Sequence, residues 1–207
     1  MATRVVGATI LIVLIAAVAW TIADTDDKAN TSVTTDDTAT VDETTTTSES
    51  PQDPPENLGP RKDLVALDGW LNTDITTLDE LDGQVVMVEM WTFGCSNCKA
   101  RIPHTQALYA TYKDQGFEIV GVHAPEFSYE AEVPNIVEAV ERLGVTWPVA
   151  LDTEKRNFRA WQVGGRRFWP RTYVIDQNGD IRFDHIGEGA YEELEATVGW
   201  LLANPPA

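Results

Sequence analysis

Both cysteines of the chain stand in one tetrapeptide, Cys95-Ser96-Asn97-Cys98. Thiols three positions apart meet over one helical turn, so the pair can close as a disulfide or open as a dithiol. The run before them, Gln84 to Met90 (QVVMVEM), reads as a short β-rich strand, and Ser96 to Gln115 carries apolar positions at Ile102, Leu108 and Tyr109 that suit a helix. Cys95 then falls at the helix N-cap, where free backbone N–H groups and the positive end of the helix dipole favour thiolate over thiol. The expected roles follow. Cys95 attacks a substrate disulfide, and Cys98, one turn on and on the buried side, resolves the mixed disulfide.

Three other assignments compete. A structural bridge is one, although closing a four-residue loop removes little unfolded-state entropy. Half of a zinc site is another; it needs two more ligands, with only His104 and His123 nearby, so the reading assigns no metal and expects no cofactor. The third is a peroxide-reducing cysteine, because Thr92 stands three before Cys95 as in the peroxiredoxin P-x-x-x-T-x-x-C pattern. The proline of that pattern would fall at position 88, which is Val88.

The elements that must position this pair alternate along residues 61–207, a length suited to one compact domain. Phe117 to His123 (FEIVGVH) is a second buried strand, followed by a helix over Asn135 to Leu143. Trp147 to Leu151 reads as a short strand and Thr153 to Trp161 as a helix. Arg171 to Ile175 and Ile181 to His185 flank Asp176-Gln177-Asn178-Gly179, a hairpin signal, and Tyr191 to Leu202 closes as an amphipathic helix. A βαβα opening with an antiparallel hairpin at the end predicts the α/β class, a mixed β-sheet flanked by helices.

The run Val85 to Cys98 (VVMVEMWTFGCSNC) resembles the active-site strand and turn of thioredoxin-fold proteins, and Pro103 falls at that family's helix-kinking position. Trp169-Pro170-Arg171-Thr172 resembles the segment carrying the family's cis-proline. The phrases VGVHAPEF (Val120 to Phe127), VALD (Val149 to Asp152) and HIGEGAYEE (His185 to Glu193) are similar to the thioredoxin-like domain of DipZ-type membrane reductases and to the TlpA/ResA group of anchored extracytoplasmic thioredoxins. The likeness covers about Trp70 to Leu202. The inter-cysteine pair departs from it, being Ser96-Asn97 rather than Gly-Pro. This chain also carries no multi-span reductase domain of its own.

The resemblance implies roles residue by residue. Glu89 takes the place of the family's buried acid; a carboxylate inside an apolar strand is costly to bury, and desolvation raises its pKa, which suits a general base for the Cys98 thiol. A solvated Glu89 on an outward-facing strand edge is the alternative. Pro170, if cis, presents backbone beside Cys95 that pairs with an extended substrate segment. Glu126 sits in a loop expected at the same strand-end crevice, like an acidic residue of ResA-like proteins; a solvated loop carboxylate is the alternative. His123 is expected to pack at a strand end without a catalytic role. Trp91, Phe93, Phe127 and Trp169 form a candidate apolar rim around the sulfur, with some of them ordinary core.

Ahead of the domain lie two appendages. After Arg4, the run Val5 to Ala23 is 19 residues without a charge, about 28 Å as a helix and long enough to cross a bilayer. Arg4 before it and Asp24, Asp26 and Asp27 after it keep residues 1–4 cytoplasmic and the rest outside. A cleaved signal ending at Ala17-Val18-Ala19 is the rival reading and yields a secreted domain. Residues 24–60 hold ten acids against one base, Lys28, with the run Thr44 to Thr47 and several prolines, and read as a disordered acidic linker. With 33 Asp+Glu against 15 Lys+Arg and a net charge of -18, the chain has no basic patch for nucleic acid. The expected partners are exported proteins bearing disulfides or dithiols and, by the resemblance, a transmembrane thiol carrier of the DipZ/CcdA kind as electron donor. Apocytochrome c is among the exported substrates this implies.

Overall fold

A computed structural model describes residues 53–206 apart from 163, 165 and 166. The expected transmembrane segment 5–23 and most of the acidic linker lie outside the described residues. Among the described residues, no helix is long and apolar enough to cross a membrane.

The chain order is β1 (Trp70–Leu71), β2 (Val85–Trp91), α1 (Ser96–Tyr112), β3 (Phe117–His123), α2 (Val133–Arg142), β4 (Val149–Leu151), α3 (Arg156–Trp161), β5 (Arg171–Ile175), β6 (Ile181–Ile186) and α4 (Tyr191–Ala203). The six strands form one sheet in the order β1-β4-β3-β2-β5-β6. Strands β2, β3 and β4 run parallel, while β1, β5 and β6 are antiparallel to their neighbours, which gives the expected mixed sheet. The parallel pairs arise because each crossover is a helix, and the β5–β6 pair because Asp176 to Gly179 folds into a tight turn.

Strand β2 is central and every residue in it is buried. Alternation along it feeds two cores. Val85, Met87 and Trp91 face a core built with α1, α2 and α4, whereas Val86, Val88 and Met90 face one built with α3 and the segment around Leu64, Leu78 and Leu81. Glu89 has the parity of the first group, so the strand aims its carboxylate beneath α1 rather than at solvent.

The structure moves one boundary. The linker was expected to run to Pro60, yet residues 55–61 lie along the outer edge of β6: Leu58 N–H donates to the Ile181 carbonyl and Ile181 N–H to the Gly59 carbonyl, both at 2.8 Å. The Arg182 guanidinium reaches the Pro55 carbonyl at 2.6 Å and Asp176 at 3.0 Å. An edge strand has unpaired backbone groups to offer, and this segment takes some of them.

Candidate active site

The site lies where β2 gives way to α1. Cys95 is the N-cap of α1, with extended backbone angles, and its sulfur accepts the N–H of Cys98 at 3.4 Å. It is half-buried, while Cys98 is buried in the α1 core; both are free thiols. A hydrogen bond from the Cys98 thiol, reinforced by the N–H groups of Cys98 and Asn97, pulls the Cys95 pKa down to about 6, against the opposing effects of partial burial and the nearby Glu126 charge. Burial pushes Cys98 far the other way, and its bond to Cys95 adds to the shift. The two sulfurs are thus unlike in the manner the helix N-terminus predicts.

Glu89 is buried beneath α1, as the inward alternative required. Burial raises its pKa, and the guanidinium of Arg101, 3.4 Å away, opposes that rise. The carboxylate and the Cys98 thiol lie close enough for the charge of Glu89 to act on Cys98.

On the far side of Cys95 stands the Trp169–Pro170 segment. The peptide bond between them is cis, and the Trp169 carbonyl accepts from the Cys95 thiol at 3.7 Å. The Trp169 indole is pinned by an N–H bond to the Ala124 carbonyl at 2.8 Å and stacks on Phe158 at 4.1 Å. The structure therefore brings Cys95, Cys98, Glu89, Glu126 and Trp169-Pro170 together.

Two rim candidates are core instead. Trp91 is 4% exposed because strand parity turns it under the helices, where it and Trp147 close over Gly121, each within 3.1 Å of the place a β-carbon would take. Phe93 is also buried, stacked on His123 at 5.4 Å. The half-exposed aromatics at this end are Phe127 and Tyr129, parallel at 6.0 Å. His123 is wholly buried between Trp91 and Phe93, its Nε2 3.3 Å from the Thr92 hydroxyl, and burial lowers its pKa to about 4, so it stays neutral. Thr92 thus spends its hydroxyl on His123.

Three residues of the site went unread in the sequence. Arg101 follows Cys98 by three and lies on the same helical face as Ile102, Thr105 and Leu108; a cation on a core-facing stripe was the available signal. Tyr129 and Glu130 belong to a short 3₁₀ turn, Ser128–Ala131, packed against Gly94. Glu130 is wholly buried and one of its carboxylate oxygens accepts the N–H groups of Glu126 and Phe127 at 2.6 and 2.8 Å. It shapes the loop that carries Glu126 to the thiol. Nothing in the linear pattern distinguishes it from the exposed acids around it.

Among the described residues, no cluster of His, Cys, Asp and Glu is arranged to hold a metal ion.

Comparison with known proteins agrees with this architecture. DipZ of Mycobacterium tuberculosis is 38% identical over 150 residues, covering 71% of this chain and 21% of DipZ. This chain thus spans about a fifth of the length of the DipZ proteins it matches. The thiol-disulfide oxidoreductase ResA of Geobacillus kaustophilus is 30% identical over 118 residues, or 57% of this chain and 63% of ResA. Among solved structures, a thiol:disulfide interchange protein of the thioredoxin family from Chlorobium tepidum superposes with a TM-score of 0.55 at 24% identity, covering 72% of this chain and 97% of the other. The fold is thioredoxin-like. Residues 63–184 match the AhpC/TSA family, and with more than half its length inside that match the chain belongs to the AhpC/TSA family.

Proposed function

We propose that this protein is a thiol–disulfide oxidoreductase, tethered to a membrane by residues 5–23, that works on the extracytoplasmic side as a reductant of disulfides in exported proteins. The observation that carries the reading is the opposed character of two sulfurs one turn apart: an accessible one held near pKa 6 and a buried one held protonated. An exposed thiolate with a low pKa attacks; a buried thiol waits until the mixed disulfide forms.

The reading assigns these steps. The Cys95 thiolate attacks a substrate disulfide R–S–S–R′, forming Cys95–S–S–R and releasing R′–S⁻. Glu89 takes the proton of Cys98, and the Cys98 thiolate attacks the sulfur of Cys95, closing the Cys95–Cys98 disulfide and releasing R–S⁻. The substrate gains two electrons and the protein loses two. Pro170 supplies no N–H of its own, and the backbone around it is the expected docking edge for an extended substrate segment. Glu126 and Trp169 flank the approach.

The likeness to DipZ and to a thiol-disulfide oxidoreductase, ResA, supports dithiol chemistry. To it the reading adds the reductive direction, a transmembrane thiol carrier of the DipZ/CcdA kind that returns electrons to the pair, and apocytochrome c among the substrates. A peroxidase reading has less support, because the Thr92 hydroxyl it would use faces His123. The test is reduction of insulin disulfides by the reduced protein. Turnover should vanish in Cys95→Ala, and Cys98→Ala should trap a stable mixed disulfide. Full turnover in Cys95→Ala, or rapid peroxide consumption that needs Cys95 alone, overturns the reading.

A further inference from the structure

Arg101 is the largest fully buried side chain among the described residues, and a dithiol reaction as such gives it no task. Its surroundings are specific. Nε lies 3.4 Å from Glu89 Oε1, and Nη1 donates to the Gly189 carbonyl at 3.1 Å. The guanidinium carbon stands 5.3 Å from the centre of the Tyr191 ring, whose hydroxyl donates to Glu188 at 2.6 Å. Nε and Nη2 make no hydrogen bond among the described residues. A buried guanidinium with so few partners is a poor source of stability, so a role at Glu89 is the better explanation of its place.

Opposite Glu89, the groups that bear on its charge are few. They are Arg101 and Thr105 from α1 and the sulfurs of Cys95 and Cys98; its register neighbour on β5, Thr172, is uncharged. Arg101 is the one cation in that set. Without it, burial would raise the carboxyl's pKa further and leave less of it ionised to accept the proton of Cys98.

We propose that Arg101 is a positioning residue for the second half-reaction: clamped from outside by the Gly189 carbonyl and the Tyr191 ring, its guanidinium favours the charged form of Glu89 and holds that carboxylate beneath α1 for the proton of Cys98. This rests on the dithiol reading above and gives a second purpose to the Gly187 to Tyr191 stretch, whose Gly187 N–H already donates to the Pro170 carbonyl at 2.8 Å. The step it controls is the balanced transfer from Cys98–SH to Glu89–COO⁻, followed by attack of the Cys98 thiolate on Cys95 and departure of R–S⁻.

The experiment is quenched-flow mass spectrometry of the full chain with a peptide disulfide, following formation and decay of the mixed disulfide across pH. Arg101→Met should leave formation within about twofold and slow decay by roughly ten- to a hundredfold near neutrality. The acid limb of decay should move to higher pH, because a carboxyl without its cation ionises later. Arg101→Lys should restore most of the rate. In the double variant Glu89→Gln/Arg101→Met, decay should equal that of Glu89→Gln alone. A wild-type rate and limb in Arg101→Met overturns the proposal, as does a double variant slower than Glu89→Gln. Should Arg101→Met fail to fold, the double variant decides, since it leaves no buried charge uncompensated. A wild-type protein that forms no mixed disulfide overturns the dithiol reading itself, and the proposal with it.

Discussion

Glu130 occupies the space that a β-carbon on Gly94 would need: one carboxylate oxygen would collide with it, and the Tyr129 hydroxyl would lie 2.8 Å away. The residue before the nucleophile is therefore glycine for want of room. Its backbone shows no left-handed angle that would demand one. The carboxylate cannot simply swing aside, because its other oxygen holds the N–H groups of Glu126 and Phe127.

Gly94→Ala should accordingly break those bonds and destabilise the fold by about 1–3 kcal/mol, the range for leaving a buried hydrogen-bonding group unpaired. Glu130→Ala should cost a similar amount. If the clash is the cause, the double variant should be little worse than Glu130→Ala alone, a non-additivity on the order of 1 kcal/mol. Urea unfolding of the three proteins measures it; strictly additive losses would mean that Gly94 matters for another reason.

The second prediction concerns pH. Cys95 should react with iodoacetamide along a titration centred near pH 6. Cys98→Ala removes the largest contribution to that low value, so the midpoint should climb toward the ordinary thiol range, about 8.5. Glu126→Gln should move it down, because the Glu126 charge raises it. Stability of the reduced protein is linked in the same direction. A thiol whose folded pKa lies below its unfolded one stabilises fully above the unfolded value, and that contribution fades as pH falls through about 6. Cys98 acts with opposite sign: above about pH 8.5 the unfolded chain ionises it while the folded protein does not, so stability should fall off again there. Denaturation curves from pH 5 to 10 should show a maximum between these limits.

Much of this arrangement was legible in the chain, for physical reasons that differ by residue. Strand β3 was read to its ends because a buried parallel strand is a continuous apolar run, and the β5–β6 hairpin because Asn178-Gly179 admits few backbone paths. Cys95 and Cys98 announced themselves by spacing. Trp91 and Phe93 were harder. An aromatic beside a catalytic cysteine reads equally well as rim or core, and strand parity together with the closeness of Gly121 decides it. Helix α3 was expected from Thr153 but begins at Arg156, because the Asp152 carboxylate captures the N–H groups of Arg156, Asn157 and Phe158 and sets the start there. The docking of residues 55–61 is a long-range pairing that leaves no local trace in a Pro- and acid-rich stretch.

That docking gives the third prediction. A chain beginning at Arg61 should be less stable than one beginning at Asp53 by roughly 1–2 kcal/mol, since it loses two backbone bonds to Ile181 and the carbonyl that binds Arg182, less the entropy of ordering the segment. Paired urea denaturation checks it. Equal midpoints would show that the segment rests on β6 without holding it.

The last prediction concerns how large a substrate the site prefers. Phe127 and Tyr129 are 54% and 50% exposed and stacked in parallel, on a turn whose Tyr129 hydroxyl reaches Gly94, next to the nucleophile. An exposed aromatic pair beside a reactive sulfur offers a large apolar contact at low entropic expense. A polypeptide spanning the crevice should cover it, whereas a small aromatic or aliphatic disulfide should touch Cys95 alone. Phe127→Ala/Tyr129→Ala should therefore lower kcat/KM for a protein disulfide by about five- to thirtyfold, mostly through KM, the loss of about 1–2 kcal/mol of contact. The rate with a small disulfide should change by less than about twofold, because Glu130 still shapes the loop and the Cys95 titration is untouched. If both substrates slow together, the pair supports the turn rather than the substrate. The iodoacetamide titration of the variant would then show it, as a Cys95 midpoint displaced from 6.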